Sequence, residues 1–172
     1  MTTRPLFAAL LLLPFAAAGL ALADEAAAPS AAHTMLTPDQ IKWGEGPPSL
    51  PPGAKMAVLY GDPSKPAMFI MRAKLPAGYK IPAHWHPTDE NITVLSGVFL
   101  MGMADKLDAT KAKTYPSGSF INMPAKTHHF AMTGAETVIE IASMGPFEVN
   151  YINPAVDPRN AAAASTPASP KK

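Results

Sequence analysis

From Lys55 to Ile152 the chain alternates short apolar, β-branched or aromatic runs with glycine and proline breaks. "MAVLYG" ends at Gly61-Asp62-Pro63, and "AMFIMRAKL" ends at Pro76-Ala77-Gly78. "NITVLSGVFLMGM" turns at Ser96-Gly97, and "SGSFINM" stops at Pro124. "HHFAMTG", "ETVIEIASM" and "FEVNYI" follow. Strands at this short spacing, separated by turn residues, predict an all-β barrel or sandwich. "ADKLDATKAK", residues 104–113, is charged and is expected to form one or two helical turns between strands.

Upstream, Thr37 with Pro38 and Gln40 is expected to start one helical turn capped by the threonine hydroxyl. The Pro/Gly cluster from Gly44 to Gly53 forbids a long helix, so this segment is expected to wrap the domain as an extended N-terminal arm. The first 23 residues have Arg4, an apolar run from Leu6 to Leu22, and Ala21-Leu22-Ala23 before Asp24. This is the pattern of a cleaved secretory signal peptide, with a retained membrane anchor as the alternative. Cleavage implies an exported protein, periplasmic in a bacterium, with no membrane attachment afterwards. The expected organisation is signal peptide 1–23, flexible linker 24–33, domain with its arm 34–156, and disordered tail 157–172. The tail is expected from its alanine, serine and proline content.

The chain has 172 residues and a net charge of +1. That length suits one domain with tails, and the balance offers no electrostatic footprint for nucleic acid. It has no cysteine, so disulfides and thiolate metal sites are excluded, and any metal must be held by nitrogen and oxygen.

Four of the five histidines lie in two short stretches, "HWHPTDE" and "THH". On a strand His84 and His86 face one way and Trp85 the other, with the two backbones about 6–7 Å apart. Two imidazoles at that spacing can converge on one ion. After the Pro87-Thr88 bend either Glu90 or Asp89 offers a carboxylate, and the turn register decides between them. A third nitrogen comes from His128 or His129, of which only one can point inward on a strand. A lone histidine is most often half-buried and inert, but this cluster in a cysteine-free chain favours metal.

Gly78, His84, His86, Glu90 and Gly97 match every fixed position of G-x5-H-x-H-x3-E-x6-G, the first motif of the cupin superfamily. Gly118, Pro124 and His129 match the second motif, G-x5-P-x-G-x2-H-x3-N, while Lys126 and Thr133 replace its second glycine and its asparagine. The chain thus resembles small exported bacterial single-domain cupins from about Lys55 to Ile152. The resemblance implies a cupin-type double-stranded β-helix, a small jelly-roll barrel with a metal inside. It implies His84, His86, Glu90 and His129 as ligands, leaving Asp89 and His128 as supporting or surface residues. Lys126 then stands where glycine tolerates a positive φ.

Such a set suits one divalent transition ion, Fe, Mn, Ni, Zn or Cu. The expected function is a metal-dependent enzyme, oxygenase-type or else isomerase or lyase, acting on a small oxygen-bearing molecule. Glu90 would be both a ligand and a general base. The alternative is a non-catalytic periplasmic protein that binds or senses a small molecule or metal. Thr127, Tyr79, Asn122 and Lys126 are the polar candidates for facing inward. The methionines Met68, Met71, Met101, Met103, Met123 and Met132 are expected to fill the core rather than to bind copper. Trp85, Phe130 and Phe99 are candidates for the outer face, there to make a homodimer contact or to pack beneath the arm; Phe147 and Tyr151 share that ambiguity.

Overall fold

The computed structural model describes residues 33–160. The signal-peptide segment 1–23, nearly all of the linker and the tail from residue 161 lie outside the described residues. The alternation becomes β1 (Gly44–Glu45), β2 (Lys55–Tyr60), β3 (Met68–Leu75), β4 (Lys80–Trp85) and β5 (Glu90–Ser96). These are followed by β6 (Val98–Gly102), β7 (Lys113–Pro116), β8 (Phe120–Met123), β9 (His129–Thr133), β10 (Thr137–Met144) and β11 (Asn150–Tyr151). They form a six-stranded sheet, β1-β2-β3-β10-β5-β8, and a five-stranded sheet, β11-β4-β9-β6-β7. Every recorded pairing is antiparallel. Among the described residues no helix is long and apolar enough to cross a membrane.

The two sheets enclose one core, built by period-two alternation. β3 turns Phe69, Met71, Ala73 and Leu75 inward, and β10 turns Ile139 and Ile141 inward. On the outer face, Arg72 Nε donates to Glu140 Oε2 at 2.8 Å across the β3–β10 ladder. Gly97 makes the β5–β6 turn at φ 78°, where a Cβ would collide with the Glu136 carbonyl. Met71, Met101 and Met123 fill the core, Met132 packs on the outer side of the five-stranded sheet, and Met68 and Met103 are exposed.

Several expectations change. Phe99 faces inward in the main core. Phe130 does face outward, yet it is wholly buried with Ala83 and Met132 beneath Ala104, Leu107 and Ala112, not beneath the arm. The 104–113 segment is therefore a cover for the five-stranded sheet. Its only helical piece is a 3₁₀ turn at Ala109–Lys111, capped by Asp108 Oδ1 accepting from the Thr110 N–H. The "FEVNYI" run pairs only through Asn150 and Tyr151.

The N-terminal turn at Pro38–Gln40 forms, but the Thr37 hydroxyl donates to Asp39 while the Gln40 side chain accepts from the Thr37 N–H. The arm that follows adds β1 to the edge of the six-stranded sheet and is tied to residues at the β4–β11 side of the other sheet. Tyr151 on β11 donates its hydroxyl to the Ser49 carbonyl at 2.8 Å, and Tyr79 donates to the Pro51 carbonyl. Leu50 packs on the core between these anchors. Residues 157–160, assigned to the tail by composition, are held to the barrel: Arg159 pairs with Asp157 at 2.7 Å and donates to the Val149 carbonyl at 2.9 Å.

Candidate metal centre

His84 lies near the end of β4, His86 just beyond it, Glu90 opens β5 and His129 opens β9. A register shift between Ile81 and His84 on the β4–β9 ladder lets both Ile81 and His84 face the interior. Strict alternation would have put Ile81 outside; a bulge containing Pro82 re-aims the strand next to the site. All four side chains are buried, with relative exposures of 4%, 4%, 5% and 1% for His84, His86, Glu90 and His129.

The three imidazoles are oriented by the main chain. Nδ1 of His84, His86 and His129 lies 2.7, 2.6 and 2.9 Å from the carbonyls of Pro82, Glu148 and Thr127. A carbonyl only accepts, so each Nδ1 carries the hydrogen and each Nε2 keeps its lone pair. Ligand atoms of the three histidines all lie within 4.8 Å of one another. Glu90 Oε2 is 3.5 Å from both His86 Nε2 and His129 Nε2.

Two of these atoms, His86 Nε2 and Glu90 Oε2, are buried without a hydrogen-bond partner. Orphans of this kind are rare because each forfeits its hydration without compensation. Burial, reinforced by the neighbouring imidazoles, pushes His84 down to about 3 and also lowers His86. For Glu90 burial acts upward, but the three histidines outweigh it and hold the carboxyl at about 2. At neutral pH Glu90 is thus a carboxylate, with the His84 and His86 imidazoles neutral beside it. Outer hydrogen bonds that fix the histidine tautomer are the usual support of a metal site, so the donor set fits a divalent cation.

The rival residues point elsewhere. Asp89 is exposed, and its Oδ1 accepts from the Ala125 N–H at 2.8 Å. His128 is exposed and pairs with Asp105 at 2.7 Å. Lys126 has φ 63°, the left-handed conformation expected at the position where the motif has glycine, and its N–H donates to the His86 carbonyl at 2.8 Å. Thr133, in the asparagine position, is buried; it accepts from the Tyr79 N–H and donates to the Pro76 carbonyl. Of the expected inward polar residues, Asn122 and Lys126 are exposed, Thr127 is half-buried, and Tyr79 is buried with its hydroxyl on the arm.

The family model described as a domain of unknown function, DUF4437, matches residues 21–150. This chain belongs to that family. Its barrel is that of the single-domain cupins. The polyketide cyclase RemF from Streptomyces resistomycificus superposes with a TM-score of 0.58 at 15% identity, over 77% of this chain and 94% of that one. An RmlC-like cupin from Shewanella frigidimarina superposes with a TM-score of 0.52 at 15% identity, over 67% and 94%. At such identity these likenesses establish the fold alone. No curated protein matches the chain.

In this DUF4437 protein the site opens on a cavity of ≈ 420 Å³ walled by Met71, Ala73, Leu75, Ile139, Ile141 and Val149, with His84, His86 and Glu90 in its lining. Register fixes its polarity. Glu90 stands opposite Ser143 on β10, whereas Leu75 stands opposite Thr137, six residues away. That separation is about 20 Å along the strand. Phe147 also lines the cavity; its ring stacks on His86 at 4.3 Å and 15° and meets Phe69 edge-on at 5.3 Å. Phe147 and Tyr151 thus face inward, not outward. The roles of Phe147 and of the Glu148 carbonyl were missed in the sequence: a backbone acceptor leaves no residue signature, and "GPFEV" reads as a turn.

Proposed function

We propose that this cupin is a metal-dependent enzyme of oxygenase type, with isomerase or lyase chemistry as its nearest variant, acting on a small oxygen-bearing molecule. His84, His86, Glu90 and His129 hold one divalent transition metal ion in this reading. The observation that carries it is the pair of orphaned buried atoms, His86 Nε2 and Glu90 Oε2, facing one another among oriented imidazoles. When bound, such an ion supplies Lewis acidity or, if redox-active, a site for dioxygen chemistry. The chain's own residues do the rest. The Pro82, Thr127 and Glu148 carbonyls hold the rings in place, the hydrocarbon walls exclude water, and Glu90 is the one carboxylate at the pole able to hold a substrate proton. The presence of an enzyme, a polyketide cyclase, among proteins sharing this barrel supports catalysis as a use of the fold. The pattern in residues 1–23 supports export to the periplasm, which a mature N-terminus at Asp24 would establish.

A retained-ligand binding protein is the second reading. It is favoured by the scarcity of acid–base side chains in the lining: apart from the cluster, the exposed Glu45 is the one ionisable side chain there. Reconstitution with Fe(II), Mn(II), Ni(II), Zn(II) and Cu(II), followed by oxygen uptake and product analysis on enol and diol substrates, separates the two. The enzyme reading predicts metal-dependent turnover that Glu90→Gln abolishes. No turnover with any of these metals, together with a small molecule that copurifies, points to the binder.

A further inference from the structure

The walls beyond the polar pole constrain what the site takes. Apart from His84, His86 and Glu90, the polar side chains lining the cavity are Glu45, Ser49 and Ser64. Glu45 and Ser64 are exposed, and Glu45 is ion-paired with Lys55. No lysine, arginine, asparagine or glutamine lines the cavity. A polyol placed along β3 and β10 would turn its hydroxyls toward Met71, Ala73, Leu75, Ile139 and Ile141, where they find no partner. A second anionic group would be buried without a cation to meet it. A hydrocarbon body there is favoured, by about fourfold in affinity for each buried methylene. The volume of ≈ 420 Å³ lies toward the small end of ligand pockets.

We infer that the cavity's ligand is a compact molecule with two adjacent oxygens at the His–Glu pole and an uncharged, apolar body lying along β3 and β10. The oxygen head rests on the metal reading above; the apolar body rests on the walls alone. A dication with the Glu90 carboxylate leaves a net positive pole, which suits a head that is neutral or has lost one proton, such as an enol beside a ketone or a catechol.

The test is calorimetric binding of catechol, tert-butylcatechol, catechol disulfonate and gluconate to the zinc-loaded full chain, with tert-butylphenol on metal-free protein as a control. The expected result is a gain of more than about thirtyfold from catechol to tert-butylcatechol and no measurable binding of the disulfonate or gluconate. Ala73→Leu, which narrows the wall, should erase most of the tert-butyl gain. Val58 is a half-exposed lining residue, so Val58→Lys should fold normally and improve disulfonate binding at the expense of tert-butylcatechol. Binding of gluconate or the disulfonate to the unaltered chain as tightly as tert-butylcatechol overturns the inference. So does catechol binding only with zinc while the tert-butyl group adds nothing, a result that leaves the metal reading intact. If tert-butylphenol and tert-butylcatechol bind equally with and without zinc, the apolar body stands and the metal reading fails.

Discussion

At one end of the barrel four ionisable side chains are buried together; about six residues further along β10 the wall is hydrocarbon. The β3–β10 ladder spans both ends without interruption, from Thr137↔Leu75 to Met144↔Met68, while β10 and β5 slip register between Val138 and Ile139 at the apolar end. Around the polar pole the β4–β9 ladder breaks at the β4 bulge, Lys126 sits at φ 63°, and three imidazoles are tied to loop and strand carbonyls. The contrast separates two jobs. The apolar walls supply the core that holds the fold, and the polar end spends some of that stability to assemble a donor set which is unfavourable when empty.

The largest effect that sharpens this contrast is loss of metal. His86→Ala removes a donor and its carbonyl-fixed ring, and should weaken zinc binding by more than about a hundredfold, since losing an outer support alone costs about 10–100-fold. Titration against a chromophoric chelator reads it, and an unchanged affinity would place the ion elsewhere. The opposite end should respond in the opposite way. Leu75 is almost wholly buried, so Leu75→Ala should lower unfolding free energy by about 2–5 kcal/mol while the folded fraction keeps full metal stoichiometry. Chemical denaturation and metal analysis on the same sample would show whether the two ends are independent.

Acid should act on the buried cluster. His84 has a folded value of about 3 against 6.5 in the open chain, so the unfolded state binds the extra proton between them. Stability of the metal-free protein therefore falls as pH drops from 6.5 toward 3. Glu90, held at about 2 against 4.5, adds a further loss as pH falls from 4.5 toward 2. Urea midpoints of the metal-free protein should decline through this range, and a flat profile would contradict the geometry of the pole. The smallest effect concerns the turn. Lys126→Gly relieves left-handed strain of about 1–2 kcal/mol but costs about 0.5–1 kcal/mol of backbone entropy. The net is a slight stabilisation, visible as a small rise in Tm, with metal binding unchanged.

The ends also differ in how far the sequence exposed them. Alternation and turn residues predicted the strands of the apolar half because each side-chain parity is set by burial on one face. Strand alternation paired His84 with His86 but left Glu90 or Asp89 and His129 or His128 open; the resemblance to the cupin motifs pointed to Glu90 and His129, and the positive φ of Lys126 followed from its place in the second motif. The bulge that lets Ile81 and His84 share a face was not legible, since a one-residue register shift leaves no compositional trace. The inward parity of Phe99 was missed because β6 continues past a glycine turn whose phase only the partner strands fix. In 104–113 the expected helical turn forms at Ala109–Lys111, but the segment's role as a cover was not legible because its few apolar residues are spaced for neither helix nor strand; packing onto Phe130 decides its path. The carbonyls of Pro82, Thr127 and Glu148 were invisible for a deeper reason: any residue type supplies one.

The central claim is that the orphaned donors at the pole belong to an ion. Anomalous X-ray diffraction at transition-metal edges, on crystals of protein purified without chelator or added metal, tests it most directly. The account predicts one anomalous peak per chain among Nε2 of His84, His86 and His129 and the Glu90 carboxylate, with bonds of about 2.0–2.2 Å. An empty pole, or one filled by waters bridging His86 Nε2 to Glu90 Oε2 with no anomalous signal, would contradict it.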